Sequence, residues 1–438
     1  MRKRSVLRFV SAAFIVAAVP PWMVIAQETP VPSSMQAEPR PDEWWQQRHA
    51  EMNARVQQGE ADLIFIGDSI TQGWESKGQA IWEQYYADRK AVNLGISGDR
   101  TQHVIWRLQN GNIDGIAPKL AVVMIGTNNY EANTAEEIAA GITQIVGILR
   151  ARLPECKVLL LAIFPRMPEP GPVRERLARA SALAAESVAK DPMVYYLDIG
   201  PRFLDPDGSL SPEVMPDYLH PNEKGYRIWA ESIEPHVAIM LGELAEGKSP
   251  KGFTALFNGK DLDGWEEVGG DEKTWGVDNG VLYTEGGKGG WLSTTGQYDD
   301  FELLLEFRVP QEGNSGVFVR APRHGNPAFE GFEVQILDDD ATAYGALKPW
   351  QYCGSIYAVA APSHRASLAA GVWQTMHIRA QGAKVSVCLN GQPIIDVDLK
   401  DHLDKLPEHP GLARSSGYLG LQNHGSRLDF RNLWIREL

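Results

Sequence analysis

Ala61-Asp62-Leu63-Ile64-Phe65-Ile66-Gly67-Asp68-Ser69-Ile70 decides the fold of the first half of the chain. The apolar run 63–66, rich in β-branched and aromatic residues, has the character of a short buried strand, and Gly67 stops it. Ser69 follows at once. In a parallel sheet the C-terminal strand ends border the crevice where ligands bind, so a hydroxyl just past such a strand stands where chemistry is done. Ser69 is therefore a candidate nucleophile. Gly-Asp-Ser is equally an ordinary turn leading into a helix, and the surrounding chain has to separate the two.

Outward from this stretch, strand-like runs at 91–94, 121–125, 158–163 and 194–197 alternate with helical patterns at 80–86, 101–109, 134–152, 173–190 and 222–241, with a further helical segment at 43–58. Strand–helix repetition of this kind predicts a parallel sheet covered on both faces, a three-layer α/β domain over residues 43–241. Residues 242–251, polar with two glycines, read as a linker. From 252 to 438 the texture changes to short alternating runs at 301–307, 316–320, 332–337, 384–389 and 428–435, separated by Gly, Asp, Asn and Pro. Many short strands without helices predict an antiparallel sandwich or jelly roll.

A length of 438 residues suits two domains. At the start, Arg2-Lys3-Arg4 precedes an apolar run from 9 to 25 that Pro20 and Pro21 interrupt and small residues end before Gln27. Residues 1–26 thus read as a cleaved signal peptide, with no stable membrane insertion, and the protein as exported, periplasmic or extracellular. Residues 27–42, rich in Pro, Ser, Glu and Gln, read as a disordered lead-in. The formal net charge is −14, and loss of Arg2, Lys3, Arg4 and Arg8 makes the chain more acidic still, which excludes nucleic acid as a partner. Cys156, Cys353 and Cys388 are too few for a disulfide framework and lack metal-site spacing; Cys353 and Cys388 could pair after export, but read as buried free thiols. Nothing in the sequence fixes the oligomeric state.

A serine nucleophile needs a base, a group that orients the base, and donors for the oxyanion. Each stands at a strand end. Asn93-Leu94-Gly95 follows the second strand, Gly126-Thr127-Asn128-Asn129 the third, and Asp217-Tyr218-Leu219-His220 precedes the last helix. An acid and a histidine three residues apart can be held together by one turn, with Asp217 receiving the Nδ1 proton and Nε2 left free for Ser69. Asp68 reads as a brace of the turn, His103 as a cleft-wall residue, His236 as structural and Ser97 as a turn residue.

These four blocks resemble the SGNH, or GDSL-type, hydrolase superfamily, named for Ser, Gly, Asn and His in successive blocks, and within it the platelet-activating-factor acetylhydrolase-like branch. The resemblance implies a flavodoxin-like fold, Ser69 as nucleophile, Asp217 and His220 as its triad partners, and an oxyanion hole of the Ser69 and Gly95 N–H groups with the Asn128 amide. It implies ester hydrolysis through an acyl-serine, with no metal and no cofactor. Ile70 stands where leucine is common and Asn129 where the third block often has Asp; neither supplies a catalytic atom. No long apolar lid segment separates the blocks, so a short acyl group is expected, and an exported acidic member would deacetylate a carbohydrate or another small ester.

In the second half, 253–265, 313–320, 331–338 and 430–435 resemble the 3-keto-disaccharide hydrolase domain family, related to concanavalin-like jelly rolls and linked to sugars. Period-two alternation puts Glu333 and Gln335 on one strand face, with Val334 and Ile336 on the other, and puts Phe318 with Arg320. Arg320, Glu333 and Gln335 are thus candidate sugar-binding residues, and a solvated outer face is the alternative. Trp265, Trp275, Trp291, Trp350 and Trp373 could stack on pyranose rings or fill the core; Asp338-Asp339-Asp340 could bind calcium or be a hydrated loop; His377 and His424 have no identifiable partner. Three functions stay open: an esterase with a glycan-binding module, a bifunctional enzyme that also cleaves 3-keto-glycosides, and a non-catalytic glycan-binding protein.

Overall fold

The computed structural model describes residues 31–270 and 274–438; the expected signal peptide lies outside the described residues. In the first domain β1 (Leu63–Gly67), β2 (Ala91–Gly95), β3 (Leu120–Met124), β4 (Lys157–Leu161) and β5 (Val194–Leu197) form a parallel sheet in the order β2-β1-β3-β4-β5. This is the flavodoxin-like order. The helices are α1 (Glu43–Val56), α2 (Ser69–Gln72), α3 (Gln79–Tyr85), α4 (Thr101–Gln109), α5 (Ala135–Arg152), α6 (Pro172–Val188) and α7 (Glu223–Leu241). Local signals set their ends: Thr134 and Glu137 form a capping box at α5, Asn222 caps α7, and Gly242 (φ +80°) ends it in the left-handed region.

β1 explains why its sequence is continuously apolar. Ile64 and Ile66 enter the core shared with α1, α4 and α5, while Leu63 and Phe65 enter the opposite core with Trp74, Tyr86 and Trp229. Both faces are dry, so no polar position is tolerated. Each fully buried large side chain there contributes about 1.5–3 kcal/mol.

At the C-terminal strand ends a buried cation replaces apolar packing. Arg107 of α4 is fully buried and donates to Asp99 Oδ2 (2.8 Å), to the carbonyls of Leu94 (3.0 Å) and Gly67 (3.2 Å), and to Asn112 Oδ1. It therefore ties the ends of β1 and β2 to the loop after β2.

Residues 31–42 depart from the disordered reading. Ser34 is buried; its hydroxyl donates to the Glu137 carbonyl (2.6 Å) and its carbonyl accepts from Thr101 Oγ1 (2.7 Å), while Arg40 donates to the Ser97 carbonyl (2.8 Å). The segment lies across α4 and α5 because specific polar partners there outweigh its low apolar content, which composition does not reveal.

The second domain comprises β6 (Thr254–Ala255), β7 (Trp265–Val268), β8 (Trp275–Asp278), β9 (Val281–Thr284), β10 (Trp291–Tyr298), β11 (Phe301–Arg308), β12 (Asn314–Ala321), β13 (Phe332–Leu337), β14 (Gln374–Gln381), β15 (Lys384–Leu389), β16 (Gln392–Asp398), β17 (Gly417–Gln422) and β18 (Leu428–Glu437). They form two antiparallel sheets, β13-β12-β17-β10-β7 and β16-β15-β14-β11-β18-β9-β8, with β6 added to β18. Side chains such as Leu303, Leu305, Val317, Val334, Ile336 and Ile378 interdigitate between them, the jelly-roll sandwich that the alternation predicts.

The outer face of the larger sheet abuts the first domain. Leu304, Trp434 and Phe253 pack with Ala238 and Leu244. Beside them Glu302, fully buried, faces Arg202 (3.3 Å), Arg436 (2.6 Å) and Arg379. Burial alone would push its carboxyl up, but His377 and the arginines hold it well below the usual range. The linker is pinned as well: Glu243 pairs with Arg89 (2.6 Å), which also forks onto Glu234, and the Lys251 N–H donates to Glu234 Oε1 (2.6 Å).

Replacing Arg107 by Met leaves Asp99 buried without its counter-charge, a loss of about 3–5 kcal/mol. Urea unfolding of the variant should show it; a midpoint shift equivalent to less than about 1 kcal/mol would mean that the strand ends hold without the clamp.

Candidate active site

The turn after β1 is built by close approach. A Cβ at Gly67 would lie 2.4 Å from the Met124 carbonyl oxygen, and one at Gly95 would lie 2.4 Å from the Gln72 nitrogen, so only glycine lets α2 settle on both strand ends. Asp68, fully buried, caps α2 by accepting the Ile70 N–H at Oδ1 (3.0 Å). This is the bracing role read from the sequence. Burial pushes its carboxyl up to about 7, and its Oδ2 has no hydrogen-bond partner among the described residues.

The chain brings Ser69, His220 and Asp217 into one line. Ser69 Oγ stands 2.9 Å from His220 Nε2, and His220 Nδ1 stands 2.7 Å from Asp217 Oδ2. A carboxylate only accepts, so Nδ1 carries the proton and Nε2 accepts from the serine hydroxyl. Tyr218 adopts φ +56°, and this left-handed residue folds the turn so that Asp217 Oδ1 accepts the N–H groups of Leu219 (3.2 Å) and His220 (2.7 Å). Partial burial raises the Asp217 pKa and these bonds lower it; the net direction is down. Ser69, Asn128 and His220 are each partly exposed, so the line opens to solvent.

The expected oxyanion donors divide. The Ser69 N–H belongs to the first turn of α2, whose amides have no intrahelical acceptor. Asn128 Nδ2 spends one hydrogen on the Asp99 carbonyl (2.9 Å) and keeps the other. Gly95 differs from the expectation of an open donor: its N–H is taken by Asn93 Oδ1 (2.9 Å), an Asx-type local bond. Asn129 is buried and accepts the Thr101 N–H (3.0 Å), joining the third block to α4.

Other histidines stand apart. His103 Nδ1 accepts the Arg100 N–H (3.0 Å) in the first turn of α4, and burial pushes its pKa down to about 4. His236 and His377 lie in the domain interface, their rings 5.9 Å apart. Arg166, which no motif marks, lies over the Tyr130 ring (4.3 Å) and donates to the Thr127 carbonyl (3.2 Å), placing a fixed cation beside the third block.

In the second domain Glu333 and Gln335 line a cavity of about 220 Å3 with Asn314, Phe329, Tyr357 and His424, and Val334 and Ile336 face the core as the alternation requires. Gln335 Nε2 donates to Asn314 Oδ1 (2.8 Å). Burial pushes the Glu333 carboxyl up to about 8. Arg320 does not join them. It adopts φ +51° at a bulge between β12 and β17, which breaks the period-two register, and its buried guanidinium donates to the carbonyls of Asp299 (2.7 Å) and Gly382 (2.6 Å). It is a clamp between turns, not a sugar ligand. Trp265 and Trp275 are in the sandwich core and Trp291 is buried in a separate cluster with Phe318 and Ala328, while Arg308 and Arg431 each lie over the Trp373 ring. The acidic run is internally bound: Asp339 accepts from the Cys353 N–H and Ser367, and Asp340 from Arg365. Cys156, Cys353 and Cys388 are free thiols.

A parallel α/β domain with this line at its strand ends, joined to an all-antiparallel sandwich, defines a serine ester hydrolase with a second, β-sandwich domain. The chain belongs to the GDSL-like lipase/acylhydrolase family, whose model matches residues 65–228, and residues 252–436 match the model of the 3-keto-alpha-glucoside-1,2-lyase-like domain. Platelet-activating factor acetylhydrolase IB subunit alpha2 of Rattus norvegicus is 37% identical over 207 residues, covering 47% of this chain and 89% of the relative. Subunit alpha1 of Bos taurus is 39% identical over 182 residues, 42% of this chain and 77% of the relative. A crystal structure of a proposed glycosyl hydrolase from Parabacteroides distasonis is 29% identical with a TM-score of 0.38, covering 43% of this chain and 94% of its own.

Asp68 makes a prediction by linkage. Its folded pKa of about 7 lies above the unfolded value of about 4, so the stability its protonated form supports is complete below pH ~4 and lost as the pH rises through ~7, on the order of 4 kcal/mol in all. Asp68→Asn keeps the cap acceptor and removes the titration. Denaturation midpoints from pH 4 to 8 should fall less steeply for the variant than for the native chain, and parallel curves would show that Asp68 stays ionised.

Proposed function

We propose that this protein is an exported serine esterase that removes short acyl groups, acetyl foremost, from a carbohydrate. The observation that carries the reading is the hydrogen-bonded line from Ser69 through His220 to Asp217 at the strand ends. His220 Nε2 takes the Ser69 proton as Oγ attacks the ester carbonyl, and Asp217 stabilises the imidazolium that forms. The Ser69 N–H and the spare Asn128 hydrogen receive the oxyanion, and the Gly95 N–H contributes only by sharing its bond to Asn93. Loss of the alcohol leaves an acyl-serine, which water, activated by His220, then hydrolyses.

The acetyl preference is supported by the relatives, which are named acetylhydrolases. The carbohydrate is supported by the second domain, whose family model carries a glucoside name and whose cavity offers amides, a carboxyl and aromatic rings suited to a pyranose. Export is supported by the basic and then apolar start of the chain.

A second reading rests on Glu333. A carboxyl protonated near neutral pH, lining a polar cavity, is equipped to protonate a departing glycosidic oxygen, which would make the chain bifunctional. Glu333→Gln should then abolish cleavage of a 3-keto-glycoside, and native cleavage should decline above about pH 8 as the proton is lost. Sugar binding without turnover would leave the domain a binding module.

For the esterase, p-nitrophenyl acetate and acetylated oligosaccharides are the assay. Ser69→Ala should reduce turnover to background in a folded protein, and near-native turnover would refute the mechanism. Asn128→Ala should lower kcat on the order of a hundredfold with little change in KM.

A further inference from the structure

The face between the two domains holds a group of ligating side chains for which ester hydrolysis has no use. His236 comes from α7 of the first domain, and His377 and Cys388 from β14 and β15 of the second. Because His377 and Cys388 are directly opposed in the antiparallel ladder, they project from the same face of the sheet, and that face meets α7. One ligating atom from each of the three residues lies within 4.8 Å of the others. All are buried, with 3%, 5% and 7% exposure.

Buried polar atoms are nearly always satisfied, yet here two are not. His236 Nδ1 and His377 Nε2 have no hydrogen-bond partner among the described residues; the carboxylate nearest to the latter, Glu302 Oε2, stands 3.5 Å away and is already engaged by arginines. Neither of these ring nitrogens is committed to a protein partner, so each is available to a metal. A buried thiol beside two imidazoles, each with a nitrogen that lacks a protein partner, is a donor set that suits a borderline cation such as zinc.

We infer that His236, His377 and Cys388 form a zinc site that joins the two domains, with its fourth position open to the cavity between them. Zinc takes imidazole nitrogen at about 2.0–2.1 Å and thiolate sulfur at about 2.3 Å in tetrahedral array, so the three atoms need to close by about 1 Å, within reach of side-chain torsions. All three residues line an interdomain cavity of about 600 Å3, which supplies an entry path and room for a water ligand. The thiolate formed on binding offsets one charge of the ion near the Arg202, Arg379 and Arg436 guanidinium groups, and the Glu302 carboxylate, 3.5 Å from His377 Nε2, adds negative charge beside it. Only His377 and Cys388 share a pair of adjacent strands, and His236 comes from the other domain, so spacing does not reveal the site.

The full chain, freed of metal by chelator and dialysed against micromolar zinc, should retain about one ion per molecule. With cobalt(II) in place of zinc it should show thiolate-to-metal charge-transfer absorption, and binding should release a proton from Cys388. Cys388→Ser should lose that band, and His236→Gln, altered only in the first domain, should weaken zinc binding at least tenfold. Ser69→Ala should bind normally, and chelation should leave ester hydrolysis unchanged. Absence of retained zinc in the native chain, a cobalt spectrum without the thiolate band, or unaltered affinity in His236→Gln would each overturn the proposal. The native spectra decide the question even if a variant fails to fold.

Discussion

One guanidinium group sets the geometry of the hydrolase domain. Arg107 is held in the core by Asp99, and its other nitrogens reach the Gly67 and Leu94 carbonyls near the ends of two adjacent strands. Asp99 in turn accepts the Trp45 indole N–H (2.7 Å) at Oδ1 and the Asn128 amide at its carbonyl, so one buried pair fixes the loop after β2, helix α1 and the third block. Buried ion pairs of this kind rarely raise stability over a well-packed apolar substitute, because both charges are desolvated. Their value is directional: apolar contacts fill space, whereas these bonds specify where the strand ends lie.

The architecture of the first domain was readable because its two cores give β1 an unbroken apolar run and its helices carry local start and stop signals. The site was readable for a related reason. Asp217 and His220 share a turn, and Ser69 follows its strand directly, so each half of the triad is a local pattern that the parallel topology then joins. What could not be read depends on backbone detail or on distant segments. Asn93 capturing the Gly95 N–H is a side-chain conformation. Arg320 leaves its predicted face because one left-handed residue shifts the register, and alternation has no means of announcing a bulge. Residues 31–42 pack through hydrogen bonds to α4 and α5, invisible to composition.

The polar face of the second domain shows both outcomes at once. Glu333 and Gln335 occupy the face that period two assigns them, and Glu333 is buried enough that its carboxyl favours the protonated form at neutral pH. The cavity they line is assembled by β12, β13 and loops far away in sequence, so alternation could give the facing of these residues but not their neighbours.

The joint between the halves has a consequence for how such a chain can evolve. The contact is not a passive tether: Leu304 and Trp434 lean on Ala238 and Leu244, and the charge of Glu302 is shared between arginines from both sides. Exchanging either half for an unrelated module would bare these apolar residues and strip a buried carboxylate of Arg202. The two halves are thus poor cassettes for domain shuffling.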